Sequence, residues 1–214
     1  MALDRNIYDA ILNGNAKQAH DATEAALAAG AEPMALIQES MVPAMDEVGR
    51  QFECEEYFVP ELLLAGRAMK RAMEMLKPLL SAAGQKMAVR IIIGTVKGDL
   101  HDIGKNIGAS MLEGSGFEVI DLGTDVTPEN FVKAVRESSP HILCMSALLT
   151  VTMPAMKTTI DALETAGVRK QVKVLIGGAP VTSQYAREIG ADGYSDNASG
   201  AVSMVKELLG QCAA

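Results

Sequence analysis

The sequence predicts an N-terminal four-helix bundle followed by an α/β domain built on a doubly wound, flavodoxin- or Rossmann-like parallel sheet. Three observations lead there. Up to about residue 80, apolar residues recur every three or four positions, the period of helices with one buried face. From residue 88, short β-branched runs alternate with helical stretches, the pattern of strands covered on both faces. Between the two, residues 81–87 read Ser-Ala-Ala-Gly-Gln-Lys-Met, with the small and polar composition of a linker. The expected domains are therefore 1–80 and 88–214, joined by 81–87.

In the first domain the helices are expected over 4–13, 15–29, 33–52 and 60–80, separated by Gly14, by the Gly30 to Pro33 stretch and by Tyr57 to Pro60. Pro33 and Pro60 fall at first-turn positions, where a missing N–H costs nothing. Short connections favour an antiparallel bundle. Its core is expected to use Met34, Met41, Met45, Met69, Met73 and Met75, because the chain has 13 Met, no Trp and 4% aromatic residues. In the second domain strands are expected over 89–95, 117–122, 141–146, 172–177 and 192–195. The helices between and after them include 153–167, 181–189 and 198–210.

Composition excludes several functions. With 27 acidic and 19 basic residues and a net charge of -8, the chain lacks the basic footprint of a nucleic-acid binder. Cys54, Cys144 and Cys212 form no C-x-x-C pair and no even framework, which suits a reducing compartment and argues against zinc fingers. No apolar stretch approaches the roughly 18 residues of a membrane span, and the N-terminus has no signal-peptide order. A cytoplasmic protein is expected.

In open parallel sheets, ligands sit beyond the carboxyl ends of the strands. Here those ends carry Gly98-Asp99-Leu100-His101-Asp102-Ile103-Gly104 after the first strand, Ser146 to Thr150 after the third, and Gly177-Gly178 after the fourth. The first segment does not fit G-x-G-x-x-G, and no phosphate-cradling G-x-x-x-x-G-K-[ST] occurs. A response-regulator pocket would need clustered carboxylates, where the later strand ends offer Ser, Thr and Gly. A single histidine with an aspartate two residues before it remains. A neutral imidazole can give one nitrogen to a metal while a carboxylate holds its other N–H. One protein ligand holds a free ion poorly, so the metal is expected to arrive within its own chelating ring. Bare glycine backbone at Gly177 and Gly178 would let an elongated organic tail slide past the strand ends. His20, on a polar helix face, and His141, at a strand start, earn no such role.

The pattern D-x-H-x-x-G, present as Asp99, His101 and Gly104, is followed by S-x-L as Ser146, Ala147 and Leu148 and by the pair Gly177-Gly178. In this it resembles the corrinoid-binding proteins of methyl-transfer systems and the cobalamin module of methionine synthase. Phe58-Val59-Pro60 resembles the turn before the fourth cap helix of that family. The resemblance implies a corrinoid cofactor, cobalamin or methylcobalamin, with His101 as the lower ligand of cobalt and Asp99 bonded to the far imidazole nitrogen. It places the relay hydroxyl on Thr152, so that His101, Asp99 and Thr152 act on the metal. Gly98, Asp102, Ile103, Gly104, Ser146, Leu148, Thr150, Gly177 and Gly178 would line the cofactor. Asp102 would also cap the helix from 103. Phe58 would cover the upper face, unless it is a plain hydrophobic staple. Ala65 and Ala68 would stand further along the same cap face, smaller than the residues expected there.

The implied function is a methyl carrier. It would serve a substrate-specific methyltransferase for methanol, methylamine, betaine or methoxyaromatic donors, and a second methyltransferase that passes the methyl group to tetrahydrofolate or a thiol. A reductive activator would be a third partner. Within the cycle His101 would release and regain cobalt, with proton traffic through Asp99, and the bundle would swing away to admit the partner. The alternatives are a radical-mutase module, disfavoured by the helical cap and the absence of a barrel, and a cobalamin-binding sensor or storage protein.

Overall fold

A computed structural model of the 214-residue chain describes residues 4–82 and 89–210. It divides into two compact units, one of residues up to 88 together with Ser110–Phe117, the other of Val89–Ala109 and the residues from Glu118 on. Most of the expected linker, residues 83–87, lies outside the described residues, as does Cys212. Residues 81 and 82 continue the preceding helix rather than beginning a linker.

In the first unit α1 (Arg5–Leu12), α2 (Ala16–Ala28), α4 (Val42–Glu53) and α5 (Val59–Ala82) pack on one another, α2 lying along α5 and α1 touching α2, α4 and α5. Asp4 caps α1, its carboxylate accepting from the Asn6 and Ile7 N–H groups. The third expected helix is not one regular helix. It is a short α3 (Pro33–Leu36), a π turn over Ile37–Met41, and α4. Pro43 explains the break, because a proline inside a helix removes a donor and crowds the carbonyl four residues back. The chain widens instead, and Val42 N–H reaches Ile37 O, five residues back. Ile7, Ile11, Met41, Met45, Leu62, Met69 and Leu76 fill the core. Met34 and Met75 are only half-buried. At Gly14, φ is +67° and an added Cβ would sit 2.6 Å from Leu64 Cβ, so the α1–α2 turn can lie against α5 only as glycine. Ala65 and Ala68 are fully buried. The exposed apolar side chains at the start of α5 are Val59, Leu63 and Leu64, preceded by Phe58.

In the second unit five parallel strands, β1 (Arg90–Thr95), β2 (Glu118–Asp121), β3 (Ile142–Ser146), β4 (Lys173–Gly177) and β5 (Gly193–Ser195), lie in the order β2-β1-β3-β4-β5. The helices are α6 (Ile103–Gly114), α7 (Pro128–Ser138), α8 (Pro154–Thr165), α9 (Ser183–Ile189) and α10 (Ala198–Leu208). Ile92, Leu143, Met145, Val174 and Ile176 face Phe131, Met156, Ile160 and Ile189 of α7, α8 and α9. Ile91, Ile93, Cys144 and Leu175 alternate onto the opposite face, where Met204 of α10 approaches Leu175 at Gly193. His141, just before β3, accepts the Arg90 N–H on Nδ1 at 3.2 Å, a strand-end contact. Among the described residues no helix is long and apolar enough to cross a membrane.

Strand order reverses direction at β1, with β2 on one side and β3 on the other. The carboxyl ends of β1 and β3 therefore part to form a crevice, the general ligand position in such sheets. The residues that follow these two strands are the ones the sequence singled out.

Candidate functional site

The loop from β1 to α6 places Asp99 and His101 two residues apart, and the loop after β3 brings Leu148, Leu149 and Thr152 to them. Asp99 is fully buried. Its Oδ1 lies 2.7 Å from His101 Nδ1 and accepts the His101 N–H at 3.1 Å. Its Oδ2 accepts from Leu148 N–H at 2.7 Å and from Thr152 Oγ1 at 2.7 Å, with Leu149 N–H at 3.4 Å. Thr152 Oγ1 also lies 2.8 Å from Leu149 O, but its one proton is better spent on the charged acceptor. Burial pushes the Asp99 carboxyl up. The hydrogen bonds from the Thr152 hydroxyl, the Leu148 N–H and the His101 ring and N–H outweigh that and hold it well below the usual carboxylate range.

An ionised Asp99 accepts only, so the ring proton of a neutral His101 sits on Nδ1 and the lone pair on Nε2. The ring is 50% exposed while its partner carboxylate is not exposed at all. A basic nitrogen is thereby presented at the sheet rim on a ring whose tautomer is fixed from beneath. Among the described residues no three His, Cys, Asp or Glu side chains gather into a metal cage. His101 could give one nitrogen to a metal whose remaining ligands come from outside these side chains.

The surroundings fit such a group. Leu100 and Ile103 are each 73% exposed and Val151 is 80% exposed, with Leu148 and Leu149 partly open, so the rim around His101 is apolar and uncovered. At Gly104, early in α6, an added Cβ would meet nothing within 4 Å. Glycine there weakens the helix by roughly 1 kcal/mol relative to alanine, and no contact within the chain requires it; close approach of a ligand would.

Gly177 and Gly178 have a reason within the chain itself. An added Cβ at Gly178, where φ is +128°, would lie 1.9 Å from Ala147 O, and one at Gly177 would lie 2.8 Å from Ser195 O. Neighbouring backbone fills the space that a side chain would need, so the fold requires these glycines with or without a ligand. Ser146 ends β3 half-buried, and Thr150 is exposed on the loop beyond it. Asp102 is exposed and its Oδ2 accepts from Asn106 Nδ2 at 3.1 Å, while its carbonyl accepts the Asn106 N–H. Phe58, in the first unit, is 61% exposed, and its N–H donates to Glu61 Oε2 at 3.0 Å.

Four contributors escaped the sequence. Thr95, at the end of β1, donates from Oγ1 to His101 O at 2.9 Å. Asp125, at φ 53°, accepts the Gly98 N–H on Oδ1 at 2.7 Å and donates its own N–H to Asp99 O. Lys105, buried in the first turn of α6, pairs with Asp121 at the end of β2. A hydroxyl in the last strand position and an acid just past Gly123 were the available signals, but pairing them needs the β2–β1 adjacency.

Residues 89–203 and, separately, residues 3–77 match models described as a B12 binding domain. The chain belongs to the B12-binding family. Its cofactor is a corrinoid, and the Asp99–His101 rim lies within the larger match. Trimethylamine corrinoid protein 1 of Methanosarcina acetivorans is 43% identical over 203 residues, covering 94% of this chain and 94% of that relative. Dimethylamine corrinoid protein 1 of the same organism is 45% identical over 180 residues, covering 83% and 84%. Among solved structures, a chain of the methanol:cobalamin methyltransferase complex of Methanosarcina barkeri superimposes with a TM-score of 0.86 at 30% identity, covering 97% of this chain and 79% of that one. A cobalamin-binding protein from Desulfitobacterium hafniense gives 0.79 at 36% identity, covering 94% and 96%.

Proposed function

We propose that this B12-binding protein carries a methyl group on its corrinoid between two enzymes, and that His101 is the lower ligand of cobalt. The observation that carries the reading is the 2.7 Å approach of His101 Nδ1 to Asp99 Oδ1, which commits that nitrogen to the carboxylate and leaves Nε2 as the donor atom. When bound, the corrinoid supplies a cobalt centre able to take up and give off a methyl group. The protein residues control the imidazole. Asp99, held by Thr152 and Leu148, fixes the tautomer while His101 is a ligand. Asp99, with its negative charge held in place, would also favour positive charge on the His101 ring over a neutral partner. Thr152 completes this relay as a donor to Asp99 Oδ2. Leu100, Ile103 and Val151 supply apolar cover at the rim, and Gly104 allows close approach. Gly98 and Asp102 belong to the loop after β1, Ser146, Leu148 and Thr150 to the end of β3 and the loop beyond it, and Gly177 and Gly178 to the end of β4.

The methyl donor is a methylated amine, delivered by a substrate-specific methyltransferase. The relatives named for trimethylamine and dimethylamine support this over methanol, since they reach 43% and 45% identity against 30% for the methanol complex. A second methyltransferase passes the group to a thiol or to tetrahydrofolate, and a reductive activator restores oxidised cobalt. The helical unit, 1–80, would act as a cap domain, and Phe58, whose ring is exposed, is the residue of that unit that would contact the corrinoid. The test uses the full chain loaded with hydroxocobalamin, reduced, and mixed with trimethylamine or dimethylamine and the matching methyltransferase. Appearance of the methylated corrinoid spectrum is expected with at least one pair. Tight corrinoid binding with no methylation by tri-, di- or monomethylamine systems would overturn the carrier reading and favour storage or sensing.

A further inference from the structure

Two bonds hold His101 to Asp99, but both end on the same oxygen, Oδ1. Two bonds to one atom leave a pivot, so the carboxylate alone does not fix where the ring points. A third point of attachment comes from the strand. Thr95 is fully buried, and every polar group it has is committed. Its N–H donates to Gly123 O at 3.0 Å, its carbonyl accepts from Val126 N–H at 3.0 Å, and its hydroxyl donates to His101 O at 2.9 Å. Strand formation does not explain the hydroxyl, because valine has the same shape and packs well in a buried strand. The hydroxyl binds the opposite end of residue 101 from the Asp99 contacts.

We infer that Thr95 is a positioning residue that clamps the His101 carbonyl and so keeps Nε2 aimed at the metal position, whether or not the imidazole is ligated. The inference rests on His101 being the ligand. Its consequence is that a ring released from cobalt stays poised to return, because the turn that carries it is held by the end of β1 as well as by Asp99. Losing one neutral hydrogen bond of ordinary strength should weaken that hold about fivefold.

The test compares the full chain with Thr95→Val, which keeps the shape without the hydroxyl, and Thr95→Ser, which keeps the hydroxyl. Without corrinoid, amide exchange in the peptide covering 98–104 should speed up about fivefold in Thr95→Val and return to within about twofold of native in Thr95→Ser, with β3 and α7 unchanged. Loaded with hydroxocobalamin, the ratio of imidazole-ligated to unligated corrinoid, read by absorption, should fall about fivefold in Thr95→Val and recover in Thr95→Ser. Thr95→Ala should act like the valine variant, and it replaces that variant if the valine protein does not fold. A native protein with no imidazole-ligated spectrum overturns the ligand reading itself. A native protein with that spectrum, and a valine variant equal to it in both measurements, overturns the role of Thr95. So does a serine variant as impaired as the valine one.

Discussion

Replacing Thr152 with valine keeps the side-chain shape and deletes one donor to a buried carboxylate. The structure sets the size of the effect. Asp99 Oδ2 has two short contacts, Thr152 Oγ1 and Leu148 N–H at 2.7 Å each, so the variant leaves it one short donor and the longer Leu149 N–H. A hydrogen bond to a charged group contributes about 1.5–3 kcal/mol. Thr152→Val is therefore expected to lose about 2 kcal/mol at pH 7, which with a urea slope near 2 kcal/mol/M moves the unfolding midpoint down by about 1 M. The sign of the pH dependence follows from the depressed carboxyl. Its stabilising contribution is complete above the unfolded carboxylate value of about 3.9 and is lost as pH falls through the lower folded value. The gap between native protein and variant should accordingly be full at pH 7 and narrow as the pH drops below about 4. Urea unfolding followed by exchange in the β1 and β3 peptides reads the second unit alone. A midpoint shift under about 0.3 M at pH 7, or a gap that does not close in acid, would refute the description of Asp99 as a buried, hydrogen-bonded carboxylate.

Three further outcomes are expected. Gly178→Ala should cost more than about 3 kcal/mol, lowering the melting temperature of the second unit by about 10 °C or preventing its accumulation, because the new methyl group meets Ala147 O. Gly104→Ala should leave the corrinoid-free protein as stable as native or slightly more so, and should weaken corrinoid binding at least about tenfold, as measured by equilibrium dialysis; unchanged affinity would remove the ligand's claim on that glycine. Burial pushes the Cys144 thiol up to about 12, whereas Cys54 is exposed, so iodoacetamide at pH 8 should label Cys54 in the folded protein and Cys144 only after unfolding, as peptide mass spectrometry would show.

The architecture was legible because strands buried on both faces must be apolar throughout, and each of the five runs ends in Gly, Ser, Thr or Asp where the rim begins. The π turn was not legible. A five-residue turn leaves the apolar spacing of 33–52 nearly intact, and only Pro43 betrays it. In the site, Asp99 and His101 announce themselves by their spacing, since both lie in one loop. Leu148 and Leu149 act through backbone N–H groups, which no residue type advertises. Thr95 and Asp125 act through contacts that exist only because β1 lies between β2 and β3. Gly177 and Gly178 were legible as necessary glycines, but their cause, the carbonyls of Ser195 and Ala147, belongs to the adjacent strands' rims.

The account turns on Nε2 of His101 as a ligand to cobalt. Electron paramagnetic resonance of the protein loaded with cobalamin and reduced to Co(II) reads the axial nitrogen directly. Protein made with ¹⁵N-labelled histidine is expected to change the axial nitrogen splitting from a triplet to a doublet, and His101→Ala to abolish the doublet. A triplet unaffected by the label would place the corrinoid's own base on the metal and contradict the account.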